Sequence, residues 1–246
     1  MPALQLGRLL LIPTPLGDTD PKRVLPQHTL DEAARLKHFV AESAKSARHF
    51  LKTLPLAHPL QSLAITELNE HTPRDAVAAL LQPALDGHDL GLMSDAGCPG
   101  VADPGAALVE EAHRHGVRVV PLVGPSSLLL ALMASGLNGQ GFVFHGYLPV
   151  AAPARNAALR SLEQASAQTG HGQLFIEAPY RNVALLDAIV DCCQPASRLC
   201  VAVDLTTETE VIATRTIAEW KRADRETLQK RPALFILQAQ PLRRGR

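Results

Sequence analysis

Residues 90–115 read LGLMSDAGCPGVADPGAALVEEAHRH, and this stretch decides the fold. The aliphatic run Leu90 to Met93 reads as a strand. Ser94 to Gly105 is a loop of small residues, Gly and Pro. Ala106 to His115 is a helical stretch that Gly116 closes. A strand passing through such a loop into a helix is one βα unit, and the chain repeats the pattern on both sides. Upstream, Leu9 to Ile12 reads as a strand ending at Pro13-Thr14-Pro15-Leu16-Gly17. A helix from a capping box at Thr29 and Glu32 runs to about Lys37, a strand covers Phe39 to Glu42, and a helix covers Ser43 to Leu54. Leu63 to Thr66 is a further strand, and Thr72-Pro73-Arg74-Asp75 supplies cap, proline and acid for a helix to Leu85.

Downstream, strand Val117 to Leu122 breaks at Gly124-Pro125-Ser126-Ser127 and an apolar helix follows from Leu128 to Ser135. Helices Arg155 to Ala167 and Arg181 to Asp191 alternate with strands Gln173 to Glu177 and Leu199 to Asp204. Strand Glu210 to Thr214, a short helix to Arg222 and strand Leu234 to Gln238 complete the chain. The reading is an α/β protein of two α/β domains, 1–123 and 124–246. A competing boundary lies at Gly146-Tyr147-Leu148-Pro149, whose continuation resembles a connector.

Composition agrees with a globular chain. Of 246 residues, 46% are hydrophobic and 20% charged, enough to bury a core, while 4% aromatics disfavour a base-stacking platform. Lys plus Arg and Asp plus Glu are both 24, so nothing suggests attachment to nucleic acid mainly through counterion release. By halves, residues 1–123 carry 11 basic and 14 acidic side chains, and residues 124–246 carry 13 and 10. The terminal Arg243, Arg244 and Arg246 read as a solvated tail. Cys98, Cys192, Cys193 and Cys200 form no CxxC pair and read as reduced thiols. No secretory signal and no apolar run near the ~20 residues of a membrane helix appears, so a cytoplasmic location without membrane contact is expected.

Ligands of open α/β sheets sit beyond the carboxyl ends of strands. Three strands end there in loops poor in side-chain bulk: Pro13 to Gly17, Ser94 to Gly105 and Gly124 to Ser127. Together they point to a site that offers main-chain amides and carbonyls. GxxxxGK[ST], GxGxxG and HExxH are all absent, so no phosphate cradle, dinucleotide fingerprint or metal pair is expected. Asp95 either caps its turn or accepts from ligand hydroxyls or amines, and the cap is the simpler reading. Asp103 before Pro104-Gly105 reads as the cap of the following helix.

Ser94 to Pro99 with Asp103-Pro104-Gly105, Val119 to Ser126, and Gly146-Tyr147-Leu148-Pro149 together resemble the tetrapyrrole methylase superfamily. More narrowly, the chain is similar to its ribosomal RNA small-subunit methyltransferase I group. The likeness begins at Pro13-Thr14-Pro15-Leu16-Gly17 and continues in order through Phe175-Ile176-Glu177 and Asp204-Leu205-Thr206. It implies an S-adenosylmethionine-dependent methyltransferase, usually a homodimer. The amino-terminal sheet would be mostly parallel, the carboxyl-terminal sheet mixed, and the cofactor held in the cleft between the domains, with no metal. The residues matching the family's cofactor positions are Pro15 in the first loop, and Ser94, Asp95, Ala96 and Val101 in the long loop. Ser126 and Ser127 match after the fifth strand, and Glu177 and Thr206 match in the second domain.

A sulfonium donor carries its own activation, so the protein's tasks are alignment and, for a hydroxyl acceptor, taking a proton. Glu177, Asp204, His145 and Glu42 are the candidate catalytic groups. Departures from the ribosomal pattern cluster where an acceptor would sit: Gly17-Asp18-Thr19 for Gly-Asn-Leu, Ala41-Glu42-Ser43-Ala44-Lys45 for Ala-Glu-Asp-Thr-Arg, and Glu177-Ala178-Pro179-Tyr180-Arg181 for Glu-Ser-x-His-Arg. The leading expectation is methylation of ribosomal RNA, on a 2′-hydroxyl, or of another acceptor by a divergent paralogue. The alternatives are methylation of a tetrapyrrole ring and non-catalytic binding of the cofactor.

Overall fold

The computed structural model describes residues 5–240, so the basic tail at Arg243, Arg244 and Arg246 lies outside the described residues. The chain divides into two compact units between Ser126 and Ser127, which assigns the Gly124–Ser126 turn to the first.

The first unit carries β1 (Arg8–Ile12), α1 (Pro21–Val24), α2 (Gln27–Arg35), β2 (His38–Ala41) and α3 (Ala44–Leu51), then β3 (Ala64–Glu67), α4 (Gln82–Leu85), β4 (Leu90–Met93), α5 (Gly105–Arg114) and β5 (Arg118–Pro121). Its five strands are all parallel, in the order β3-β2-β4-β1-β5. Successive side chains of a strand point to opposite faces, and both faces are covered. Leu10, Ile12, Phe39 and Met93 pack on one face against Leu30 of α2 and Phe50 of α3. Leu9, Val40, Leu90 and Leu92 pack on the other against Leu81 and Leu108. Each such fully buried side chain contributes about 1.5–3 kcal/mol. β4 lies at the centre, where Gly91 is required by space: a Cβ there would stand 2.7 Å from Ile12 Cδ1 and 2.8 Å from Phe39 Cδ1.

Two helix starts differ from the sequence reading. α2 begins at Gln27 behind Pro26, and Thr29 lies inside it, its buried hydroxyl donating to the Val123 carbonyl at 2.8 Å. A long-range partner takes the group that a capping box would have used. The helix expected from Pro73 to Leu85 is a broken staircase of 3₁₀ turns at Arg74–Ala76 and Ala78–Leu81 followed by the short α4. Thr72 Oγ1 accepts from Asn69 N–H, closing the preceding turn.

The second unit carries α6 (Ser127–Ser135), β6 (Phe142–Tyr147), α7 (Ala152–Thr169), β7 (Gly172–Ile176) and α8 (Asn182–Cys192), then β8 (Arg198–Val203), β9 (Val211–Thr216), α9 (Ile217–Trp220) and β10 (Ala233–Gln238). The sheet is mixed, ordered β6-β7-β10-β8-β9, with β6 parallel to β7 and the other pairs antiparallel. Two α/β units, one parallel and one mixed, match the expected fold class. The core stacks Phe175 on Phe235, ring centroids 5.8 Å apart, and the Trp220 indole N–H donates to the Leu199 carbonyl. β6 occupies the segment read as a connector; its pairing shifts register between Phe144 and Tyr147, where Gly146 takes φ +65°. Because β10 runs antiparallel to both β7 and β8, those two strands end at one edge, flanking Ala233 and Leu234.

Candidate functional site

In the first unit all carboxyl ends share one edge, since every strand is parallel. There the three glycine- and proline-containing loops are tied by their own backbones. Thr14 and Gly97 exchange both main-chain hydrogen bonds, at 3.0 and 3.1 Å, and the Thr14 hydroxyl donates to the Ser94 carbonyl. Ser94 is buried and its hydroxyl donates to the carbonyls of Ala96 and Gly97. The third loop closes on the first two: Cys98 Sγ donates to the Pro125 carbonyl, and a Cβ at Gly124 would stand 2.3 Å from Pro13 Cβ. Gly97 adopts φ +76°, a region a side chain disfavours by about 1–2 kcal/mol.

Asp103 caps as its position suggests, one carboxylate oxygen accepting from Gly100 N–H and Gly105 N–H, both at 2.8 Å. Burial pushes its carboxyl above the ordinary value, against the pull of those two donors. Asp95 does not cap. Its side chain is exposed and its carboxylate accepts no hydrogen bond among the described residues, while its main-chain N–H points to Glu42 Oε2 at 3.5 Å. Glu42, directly after β2, is pushed up by burial and by the charges of Asp95, Asp103 and Glu70, with the Asp95 N–H working against them.

A cavity of about 820 Å³ opens beside these loops. Pro15 and Asp95 line it with Ala96 and Ser94. α3 forms another part of the lining through Lys45, Arg48, His49 and, just past its end, Lys52. Sequence reasoning recorded the helix but not this face; the signal was the spacing i, i+3, i+4, i+7 of four basic residues with no acid among them. Of the other long-loop residues, Val101 is 47% exposed and Ala102 takes φ +60°.

The second unit's edge is built differently. Glu177 follows β7 and is buried; its Oε1 accepts from Ala178 N–H at 2.7 Å and from Arg181 Nη2 at 2.6 Å. Its Oε2 is buried and has no hydrogen-bond partner among the described residues. The same holds for Asn182 Oδ1 and Thr206 Oγ1. Asn182 is anchored to this edge by its Nδ2, which donates to the Arg231 carbonyl. After β8 the chain is strained: Asp204 takes φ +47° and Thr206 φ +71°. Asp204 Oδ2 holds Arg231 Nε at 2.7 Å and accepts from Thr209.

The expected residues thus fall into two sets, each on one edge. Pro15, Ser94, Asp95, Ala96, Val101 and Ser126 belong to the first unit's loops, and Glu42 adjoins them through Asp95. Glu177, Asp204 and Thr206 share the second unit's β7/β8 edge. Ser127 opens α6 in the second unit, and His145 stands in β6 with Nε2 2.7 Å from Gln173 Oε1. Among the catalytic candidates, Glu177 and Asp204 are engaged by arginines and His145 by an amide; Glu42 is the carboxyl held above its ordinary range.

Comparison with known proteins follows the same outline. The family model described as Tetrapyrrole (Corrin/Porphyrin) Methylases matches residues 8–221. The Ribosomal RNA small subunit methyltransferase I of Pseudomonas aeruginosa is 34% identical over 166 residues, 65% of this chain and 54% of that protein. The protein of that name from Mesorhizobium japonicum is 45% identical over 102 residues, 42% of this chain and 35% of its own length. The chain therefore spans about half the length of the curated relatives it matches. Among solved structures, the methyltransferase CobJ superposes with a TM-score of 0.64 at 18% identity, covering 98% of this chain and 97% of its own. Uroporphyrin-III C-methyl transferase from Thermus thermophilus, complexed with S-adenyl homocysteine, gives 0.56 at 18% identity, covering 94% of this chain and 97% of its own. These last two are likenesses of fold.

Proposed function

Because the chain belongs to the tetrapyrrole (corrin/porphyrin) methylase family, we propose that it is an S-adenosylmethionine-dependent methyltransferase whose acceptor is RNA of the small ribosomal subunit. The observation that carries this reading is Asp95: a carboxylate without a partner, presented on a lattice of loops whose own backbone groups are engaged with one another. Such a carboxylate suits the hydroxyls or ammonium of a nucleoside-amino-acid ligand.

Fit can be judged within each unit. In the first, Pro15 and Ala96 line the cavity beside Asp95 with little bulk, and the Ser94 hydroxyl, engaged with two carbonyls, shapes the loop. In the second, the orphaned acceptors of Glu177, Asn182 and Thr206 suit a donor-rich ligand, since an unsatisfied buried acceptor costs about 1–3 kcal/mol that a ligand donor relieves. When bound, the cofactor supplies an electrophilic methyl group on a sulfonium. The chain's own tasks are orientation and proton removal. Glu42, a carboxylate of raised proton affinity joined to the Asp95 turn, is placed to accept the proton of a hydroxyl acceptor. Asp204, held by Arg231, and Glu177, held by Arg181, keep the second edge in shape.

The same reading makes the chain a cytoplasmic homodimer. Two features support this. No helix among the described residues is long and apolar enough to cross a membrane, and α6 leaves Leu129 and Met133 53% and 80% exposed. Sedimentation that gives a monomer at every concentration rejects the dimer.

Calorimetry with S-adenosylmethionine tests the core of the proposal: binding is expected, with an Asp95→Ala affinity at least about tenfold weaker, or 1.4 kcal/mol. Absence of binding at millimolar cofactor overturns it. Transfer of labelled methyl to small-subunit RNA is expected. Transfer to a precorrin, and not to RNA, would instead assign a tetrapyrrole acceptor.

A further inference from the structure

We propose that the outer face of α3 is a rail for the phosphate backbone of a single-stranded RNA, carried by Lys45, Arg48 and Lys52 with His49 between them. The inference rests on the RNA reading above for its partner, but its geometry is independent of methyl transfer. The four residues fall at i, i+3, i+4 and i+7, so they share one face, with neighbouring side chains about 5–6 Å apart at Cβ. All four are exposed, while Ala47, Phe50 and Leu51 bury the opposite face.

Helix stability does not account for the stripe. A cation in the last turn, here Arg48, complements the helix dipole, but Lys45 sits in the first turn, where a positive charge is disfavoured by about 0.3–1 kcal/mol. Nor does internal pairing account for it. Lys45 and Lys52 have no ion-pair partner among the described residues, and Arg48 donates only to the Ala44 carbonyl of its own helix. The opposite, amino edge of the same sheet shows the alternative: there Arg8 and Arg35 are both bound to Asp89, at 2.8 and 2.9 Å, and Arg35 to Glu32 at 2.6 Å. The stripe thus leaves Lys45, Arg48 and Lys52 without an acid, although the first 123 residues carry a net charge of minus three, 11 basic against 14 acidic.

The stripe also lies where an acceptor strand would need it. It lines the same 820 Å³ cavity as Pro15 and Asp95, and the acids of that lining, Asp18 and Asp95, are on the loops and not on the helix. A polyanion lying on the helix would run along the cavity that Pro15 and Asp95 also line.

Fluorescence anisotropy with a short labelled single-stranded RNA, titrated at several salt concentrations, tests the rail. For single strands each phosphate neutralised adds about 0.7 to the slope of log affinity against log salt, so Lys45→Glu/Arg48→Glu/Lys52→Glu should reduce the slope by about 2 and the affinity at least about tenfold. The comparison variant Lys221→Glu/Arg222→Glu, in the second unit, should retain wild-type affinity. Thermal midpoints check that both variants fold, and three single charge reversals, each with a partial loss, replace the triple variant if it does not. Equal losses in both variants, no loss in the stripe variants, absence of RNA binding by the wild type, or equal binding of a poly-glutamate peptide each overturn the proposal; the last would indicate an acidic protein partner. If the wild type binds RNA through the stripe but gives no calorimetric signal with S-adenosylmethionine, the methyl-transfer reading fails and the rail stands.

Discussion

The two strand-end edges of this molecule use opposite devices. At the first unit's edge, Thr14, Ser94, Gly97 and Pro125 satisfy one another, and glycines allow Pro13 and Leu16 to pack closely. At the second unit's edge, Glu177, Asn182 and Thr206 each leave a buried oxygen without a donor, and Asp204 and Thr206 hold left-handed backbone. The first is chiefly a self-satisfied scaffold, its exceptions the buried Thr19 Oγ1 without a partner and Ala102 at φ +60°, and it presents the exposed carboxylates of Asp18 and Asp95. The second stores unfavourable free energy that a ligand can release, the condition under which strained residues persist at functional sites.

The contrast can be broken most forcefully at Gly124. A valine there meets Pro13 Cβ, and the whole loop lattice must move, so Gly124→Val should lose about 3 kcal/mol in a denaturant melt of the full chain. A loss below 1 kcal/mol would show that the lattice is not tightly packed. Asp95→Ala should behave in the opposite sense, leaving the melt unchanged within about 0.5 kcal/mol, because the carboxylate holds nothing in the free protein.

Thr206→Gly sharpens the other side. It removes a β-branched side chain from φ +71° together with an orphaned hydroxyl, so stability should rise by about 1 kcal/mol while affinity for the donor ligand falls. A fall in stability would mean that the edge is relaxed at rest. The smallest expected effect is a pH dependence. Glu42 holds its proton above the ordinary value of 4.5 in the folded chain. Stability is therefore lost as pH rises from that value through the raised one, and Glu42→Gln should flatten this part of the profile. In the assay the sign reverses: methyl transfer should gain rate over the same window as Glu42 becomes a competent base, and the variant should lose that limb.

Much of the first edge was legible because its signals are local. Short aliphatic runs such as Leu9 to Ile12 and Leu90 to Met93, each followed by a glycine- and proline-containing loop, read as strands buried on both faces, whereas the longer apolar run Leu128 to Ser135 reads as a helix. Asp103 before Pro104-Gly105 similarly gives its cap away. What failed was local chemistry claimed by distant partners. The Thr29 hydroxyl serves Val123 across the sequence, and the Pro73 staircase breaks into short turns. β6 was hidden because Gly146 and Pro149 look like a connector, although a bulge absorbs the glycine. The orphaned oxygen of Glu177 could not be read at all, since it depends on Arg181 engaging the other oxygen.

The position of β4 between β2 and β1 also constrains how a nascent chain can fold. Those outer neighbours pair with β4 and not with each other, so residues 8–12 and 38–41 emerge from the ribosome with unpartnered edges until residues 90–93 follow. During that interval the half-made sheet is a sticky template for other strands. Synthesis rate and chaperone access between residues 12 and 90 should therefore weigh on the yield of folded protein, as they should in the second unit, where β7 and β8 both wait for β10.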